Sequence, residues 1–239
     1  YMMREYFDRI YSKPRETFYE ELKYWLKNNE KKFIVTANPE TLMIAEENSE
    51  FKNIILNKNV VIVPDGIGII KGAKILKYDI NETITGIDIC NKLFEYLNSM
   101  NKTLFLLGAK KEVVEKLRQV LNDNYPNIQI LGSVDGYVEN KDEVFEEIKE
   151  KKPDVCLVAL GIPRQELLIS KHIKDFDKGI FIGVGGSFDV LSGSKKRAPK
   201  IFIKLKIEWL YRIVREPKRL KRFFKSNIRY IGKIRKEKI

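Results

Sequence analysis

Histidine is almost missing from this chain: His172 is the one example in 239 residues. A histidine-based metal cluster or a Ser-His-Asp relay therefore has almost no raw material. Cysteine is scarce as well. Cys90 and Cys156 both lie in apolar periodic segments and read as small core residues rather than a disulfide framework. No run of about 18 apolar residues occurs, which excludes a membrane-spanning helix. The opening Tyr1-Met2-Met3-Arg4-Glu5 lacks the apolar stretch of a secretory signal, so the expected compartment is the cytoplasm. Internal repeats are absent, and no Pro/Gly/Ser-rich linker precedes about residue 193. What remains is a composition with 44% hydrophobic and 33% charged residues, enough for a packed core and unlike a disordered chain.

The charge is lopsided. Of a net +12, the last 45 residues hold 18 Lys/Arg against Glu208, Glu216 and Glu237, which leaves residues 1–194 slightly acidic. Two units follow: a body over 1–194 and a basic appendage over 195–239. A polyanionic partner for the appendage is expected, either nucleic acid or an anionic membrane surface.

Short β-rich runs at 33–36, 60–63, 103–107, 128–131, 155–159 and 180–183 alternate with helix-period stretches at 87–100, 113–121 and 144–148. The runs are nearly continuously apolar, as strands buried on both faces must be. This alternation predicts an α/β, Rossmann-like fold with a parallel sheet flanked by helices. Ligands of such sheets sit beyond the carboxyl ends of the strands. The unusual residues gather there: Thr36-x-Asn38-Pro39-Glu40, Pro64-Asp65-Gly66-x-Gly68, Gly108, Asp135-Gly136-Tyr137, Gly161-x-Pro163-x-Gln165-Glu166 and Gly183-x-Gly185-Gly186-x-x-Asp189. Glycine permits close backbone approach and free N–H groups at helix starts suit phosphate, so a phosphate-bearing ligand is expected. Ordinary βα turns also use these residue types.

Individual signals carry competing readings. Gly66-x-Gly68-x-x-x-Gly72 resembles a dinucleotide fingerprint with imperfect spacing, which keeps an NAD(P)-dependent oxidoreductase as an alternative. Asp175-Phe176-Asp177 spells D-x-D but falls at the wrong end of the sheet and reads as a solvated turn. Asp65, directly after a buried strand, is either the cap of the next helix or a carboxylate in the ligand crevice able to act as general base. In the appendage, Pro217 separates two apolar stripes. The first is Ile201, Phe202, Leu205, Trp209, Leu210 and Ile213; the second is Leu220, Phe223, Phe224, Ile228 (or Asn227 beside it), Ile231 and Ile234. Lys218, Arg219, Lys221, Arg222, Lys225 and Arg229 lie opposite the second. A basic amphipathic helix with aromatics on its apolar face suits a membrane interface. A nucleic-acid-binding module and a helix docked on the core are the alternatives, the first disfavoured because it needs no phenylalanine stripe.

Taken together, these pieces resemble the WecG/TagA/CpsF glycosyltransferases (glycosyltransferase family 26). The resemblance also covers Thr85-Gly86-x-Asp88, Gly193, Arg197-Ala198-Pro199 and Glu208-Trp209-Leu210-Tyr211-Arg212-x-x-x-Glu216-Pro217-x-Arg219-x-x-Arg222, in order over about 30–225. It implies an inverting, metal-independent transferase without a cofactor. Such enzymes move N-acetylmannosamine or a related sugar from UDP to N-acetylglucosamine on a polyprenyl-diphosphate lipid, as in teichoic acid linkage units, at the inner membrane face. It further implies Asp65 as general base, Thr36 and Asn38 beside it, and Gln165 at the sugar. Asp135-Gly136-Tyr137 and Gly185, Gly186 and on to Asp189 would line the nucleotide, Gly108, Gly161 and Glu166 would also bind substrate, and Arg212, Arg219 and Arg222 would fold over the diphosphate. Many relatives carry arginine where this chain has Thr83; that contact is either missing here or supplied by another basic residue such as Lys71 or Arg164. Homo-oligomerisation is left open.

Overall fold

The computed structural model describes residues 2–238, with the side chains of Lys218 and Arg219 outside the description. Helices α1 (Met2–Phe7) and α2 (Arg15–Lys27) precede strand β1 (Lys31–Ala37). Helices α3 (Pro39–Glu47) and α4 (Ser49–Leu56) lead to β2 (Val60–Pro64), and α5 (Ile67–Leu76) and α6 (Gly86–Ser99) lead to β3 (Thr103–Gly108). Then come α7 (Lys111–Asn124), β4 (Gln129–Val134), α8 (Lys141–Lys151), β5 (Val155–Ala159), α9 (Arg164–His172), β6 (Gly179–Gly183) and α10 (Ser187–Leu191). The appendage holds α11 (Lys200–Lys204), α12 (Glu208–Arg215) and α13 (Lys218–Lys236).

The six strands form one parallel sheet in the order β2-β1-β6-β5-β3-β4, the expected α/β architecture. Side chains alternate strictly between two cores. Phe33, Val35, Phe105, Leu107, Cys156, Val158 and Phe181 enter one; Ile34, Leu104, Leu106, Val155, Leu157, Ile180 and Ile182 enter the other. Both faces are therefore dry, which is why the strand sequences show no polar alternation. Cys90 and Cys156 are free and buried, as expected. The β2 edge is shielded by the segment after α1, where Tyr11 N–H donates to Ile62 O at 2.7 Å.

β3 and β5 are neighbours whose chains leave in opposite directions, toward β4 and β6 respectively. That divergence opens the crevice where open α/β sheets bind ligands.

The appendage is docked rather than free. Tyr230 and Ile234 are 2% and 1% exposed and join the core beneath α3 and α5. α13 lies along α3 and meets its acidic residues in turn: Arg222 with Glu40 at 2.7 Å, Arg229 with Glu47, and Lys233 with Glu46 at 3.1 Å. Glu237 accepts from the Met3 and Arg4 backbone N–H groups at the start of α1.

This docking divides the expected stripe. Leu220, Phe224, Ile228 and Ile231 face outward, while the inward side is Asn227, Tyr230 and Ile234, one helical step round. Within the first stripe the helix breaks after α11, where Lys206 takes a left-handed conformation with no proline or glycine to announce it.

Candidate active site

Asp65 follows β2 directly, held by its own N–H donating to Ala37 O at 2.8 Å. It does not cap α5: the N-cap is Gly66, and no side chain completes that helix start. The crevice reading of Asp65 thus survives and the capping reading falls. Burial pushes its carboxyl up to about 6, opposed chiefly by Arg212 and then Arg197, while Glu208 and Asp88 push it further upward. Those causes locate the site, because Arg212 and Glu208 belong to α12 of the appendage and Asp88 to the first turn of α6.

Around Asp65 the local folding is well determined. Asn38 caps α3 through a reciprocal box: its Oδ1 accepts from Thr41 N–H at 3.0 Å, and its own N–H donates to Thr41 Oγ1 at 3.2 Å. Pro39 opens the helix and holds Glu40 where Arg222 reaches it. Ile84 N–H donates to Pro64 O at 2.7 Å, which brings the start of α6 beside β2. Thr36 is half-buried at the end of β1, its methyl near Gly86. At Thr83 the neighbouring cation is Arg15, whose Nε donates to the Thr83 carbonyl at 2.7 Å. Sequence reasoning missed Arg15, which lies 68 positions away and carries no motif. Arg164 instead lines a groove with Asp142 and Lys171 between α8 and α9.

The second cluster lies at the β3/β5 crevice. Gly108 has φ +133°, and a Cβ there would overlap the Ala159 carbonyl, so only glycine fits. Ala109 N–H donates to Ala159 O at 3.0 Å, and Gly136 N–H to Ala109 O at 2.8 Å, which joins three strand-end loops. Tyr137 stands 74% exposed beside them, its N–H held by Asp135.

Gln165 ties the strand-end loops of β5 and β6 together. Its Oε1 accepts from Gly161 N–H at 3.1 Å and Gly185 N–H at 3.0 Å, and its Nε2 donates to Glu166 Oε1 at 2.8 Å. Gln165 and Glu166 are 2% and 1% exposed, so the structure places both inside the wall as holders of the β5 and β6 loops rather than at its surface. Burial raises the Glu166 carboxyl to about 7 against the Gln165 hydrogen bond, and its Oε2 has no partner. Gly186 is exposed in the turn before α10 and Asp189 is half-buried in α10.

Arg212, half exposed, and Arg222 are thus brought to the rim that carries Asp65, Thr36 and Asn38. The side chain of Arg219 lies outside the described residues. No group of three or more His, Cys, Asp or Glu that could hold a metal gathers among the described residues. Asp175 and Asp177 are exposed at the opposite end of the sheet, as expected.

The glycines that resembled a dinucleotide fingerprint have another task. A Cβ on Gly68 would strike the Pro39 ring, and one on Gly72 would overlap the Tyr230 hydroxyl and crowd Phe7. They form a seam on α5 into which α13, α3 and α1 pack. The oxidoreductase alternative loses its motif.

Residues 8–239 match the family described as Glycosyl transferase WecG/TagA/CpsF. The chain belongs to this glycosyltransferase family. Three relatives are named N-acetylglucosaminyldiphosphoundecaprenol N-acetyl-β-D-mannosaminyltransferase. That of Bacillus spizizenii is 37% identical, covering 83% of this chain and 77% of the relative. That of Bacillus subtilis is 39% identical, covering 79% and 73%. That of Staphylococcus aureus is 41% identical, covering 86% and 80%. A glycosyltransferase of the WecG/TagA/CpsF family has two bonds to manage, one formed by an acceptor hydroxyl and one broken at a leaving group. The rim carries the carboxylate of Asp65 and the guanidinium groups of Arg212 and Arg222.

Proposed function

We propose that this WecG/TagA/CpsF glycosyltransferase moves an N-acetylmannosamine-type sugar from UDP to the N-acetylglucosamine of a polyprenyl-diphosphate lipid, as its named relatives do for undecaprenol. The observation that carries this reading is that the appendage docks at the rim holding Asp65: Arg222 pairs with Glu40 of α3 at 2.7 Å, and Arg212 and Arg197 oppose the effect of burial on the Asp65 carboxyl. A carboxyl that releases its proton near pH 6 is ionised at neutral pH and basic enough to accept a hydroxyl proton. Asp65 takes the proton of the acceptor hydroxyl as its oxygen attacks the anomeric carbon. The bond from that carbon to the diphosphate breaks on the opposite face, and UDP leaves with inverted configuration at the sugar. Arg212 and Arg222, joined by Arg219, meet the negative charge that develops on the departing diphosphate. The step is assigned to these side chains and to no metal.

Adjacent strands stand about 4.8 Å apart, so Asp65 after β2 and the crevice between β5 and β3 are separated by roughly 15 Å. A ligand touching both is elongated, which suits a nucleotide at the crevice and a sugar at Asp65.

An anionic membrane surface is the proposed setting, on the inner face. Among the described residues, nine of the twelve exposed large apolar side chains fall between residues 201 and 231, and 18 basic residues share the appendage. Among the described residues no helix is long and apolar enough to cross a membrane, so attachment would be peripheral. Incubation with a panel of UDP-sugars and a lipid-diphosphate N-acetylglucosamine acceptor, followed by product mass, tests the reading. A product heavier by one N-acetylhexosamine supports it; no transfer from any UDP-sugar overturns it.

A further inference from the structure

Three pieces of the motif set, Thr85-x-x-Asp88, Arg197 and Glu208, hold no role in the transfer step, yet the fold brings them together. Thr85 caps α6 by accepting from Asp88 N–H at 3.2 Å, which fixes the Asp88 backbone. Asp88 Oδ1 accepts from Arg197 Nη1 at 2.9 Å. Glu208 Oε1 accepts from Arg212 Nη2 at 2.8 Å and stands 3.9 Å from Arg197 Nε. That Nε is buried and has no hydrogen-bond partner.

A desolvated guanidinium N–H facing a carboxylate just outside hydrogen-bond reach is an unfilled position. Arg212 holds Glu208 through one nitrogen only, which leaves further donors free for an incoming anion. When Arg212 turns toward a diphosphate, Glu208 would lose its partner in a partly dry setting, an unfavourable event on its own. Arg197 Nε removes that penalty, because a shift of about 1 Å lets it take up the released carboxylate.

We propose that Asp88, Arg197 and Glu208 form a positioning strut that presents Arg212 to the donor diphosphate, with Glu208 passing from Arg212 to Arg197 as the nucleotide binds. The strut rests on the transferase reading above. It crosses from the body to the appendage, so it also registers α12 against the β2 rim.

Lysine at 197 satisfies Asp88 but lacks the second branch that reaches Glu208. The charges alternate along the strut, and Asp65 senses all four. Removing Arg197 leaves Asp88 and Glu208 less compensated and moves the Asp65 titration to higher pH; removing the Asp88 charge moves it lower.

The test uses the full chain, UDP as the binding probe and UDP-sugar transfer as the assay. Arg197→Gln, Arg197→Lys and Asp88→Asn each weaken UDP binding roughly tenfold, and Arg197→Gln adds nothing further to Arg212→Gln. The acid limb of kcat/KM moves up in Arg197→Gln and down in Asp88→Asn, a divergence that general loosening of the fold does not produce. UDP affinity at the wild-type level in Arg197→Gln, defects that multiply in the double variant, or limbs moving the same way would overturn the strut. If Arg197→Gln does not fold, Asp88→Asn decides by the same affinity criterion. Failure of the wild-type chain to bind UDP would overturn the transferase reading and the strut with it; wild-type binding with unaffected variants sinks the strut alone.

Discussion

In the proposed mechanism Asp65 would gain its reactivity from a position that does not favour its charge. Its carboxyl titrates at about 6 because burial outweighs the help of Arg212 and Arg197. A general base must be ionised to act, so kcat/KM should climb through an acid limb centred near pH 6 and level off above it. The same shift has a stability consequence. The folded state keeps the proton up to about pH 6, whereas an unperturbed aspartate releases it near 3.8. Stability therefore falls as pH rises between those values and stays lowered above them. Asp65→Asn should unfold at a higher temperature than wild type at pH 7–8, show no such gain below about pH 4, and lose turnover by about 10²- to 10⁴-fold. Scanning calorimetry across pH with parallel assays checks both; a variant less stable at pH 8 would contradict the assignment. At this scale the sequence was partly legible. Asp65 stood out because a charge directly after a buried strand needs a reason. Gln165 also stood out, but its inward task as a tie between two loops depends on the β5 and β6 ends being neighbours. Arg15 and Arg197 could not be placed at all, since only the fold carries them to the rim.

Among the elements, α13 and α5 depend on each other through glycine. Gly72 leaves the space that Tyr230 of α13 fills, Gly68 makes room for the Pro39 ring of α3, and the Tyr230 hydroxyl donates to Gly68 O at 2.9 Å. Gly72→Val should push α13 off α5. Hydrogen exchange would then rise over residues 223–234 and at the start of α3, where Arg222 pairs with Glu40, with the strands still protected. Unchanged protection of α13 would show that the seam does not hold it. Tyr230→Phe removes only the hydroxyl bond and should cost about 1 kcal/mol. The glycine spacing was visible in the sequence, but its meaning was not. Close approach of backbone to a ligand and of helix to helix call for the same residue, and only the partner tells them apart. The strands, by contrast, were readable to within two or three residues. Five of them are mostly buried and apolar, whereas β4 at the sheet edge has no fully buried residue and its end was the least well placed.

For the molecule as a whole, the separation of charge has two uses. Part of the appendage's positive charge is spent inside the chain, against Glu40, Glu46 and Glu47 on α3. Surface ion pairs of this kind add little stability singly, though Glu46 is only 5% exposed at its side chain and also accepts from Tyr6. The remainder lies beside the exposed Leu220, Phe224, Ile228 and Ile231. Replacing Phe224 and Ile228 with serine should lower binding to anionic phospholipid vesicles by tenfold or more, on the order of 1–3 kcal/mol for two large apolar side chains. Transfer to a water-soluble acceptor should be retained. Vesicle sedimentation measures the first, and equal binding by the variant would remove that face from the membrane contact. The outward direction of these residues could not be told from periodicity, because two adjacent stripes on α13 are both apolar and only Tyr230 and Ile234 find a core.

The account stands on a body carboxylate and appendage guanidiniums serving one reaction centre, and a kinetic double-mutant cycle between Asp65 and Arg212 tests that most directly. Asp65→Ala, Arg212→Gln and the double variant are compared by kcat/KM for the UDP-sugar, each checked for folding. The account predicts that each single change removes most of the rate and that the double is little worse than the slower single, as for residues acting in one transition state. Losses that multiply in full would place the two residues in separate roles and contradict it.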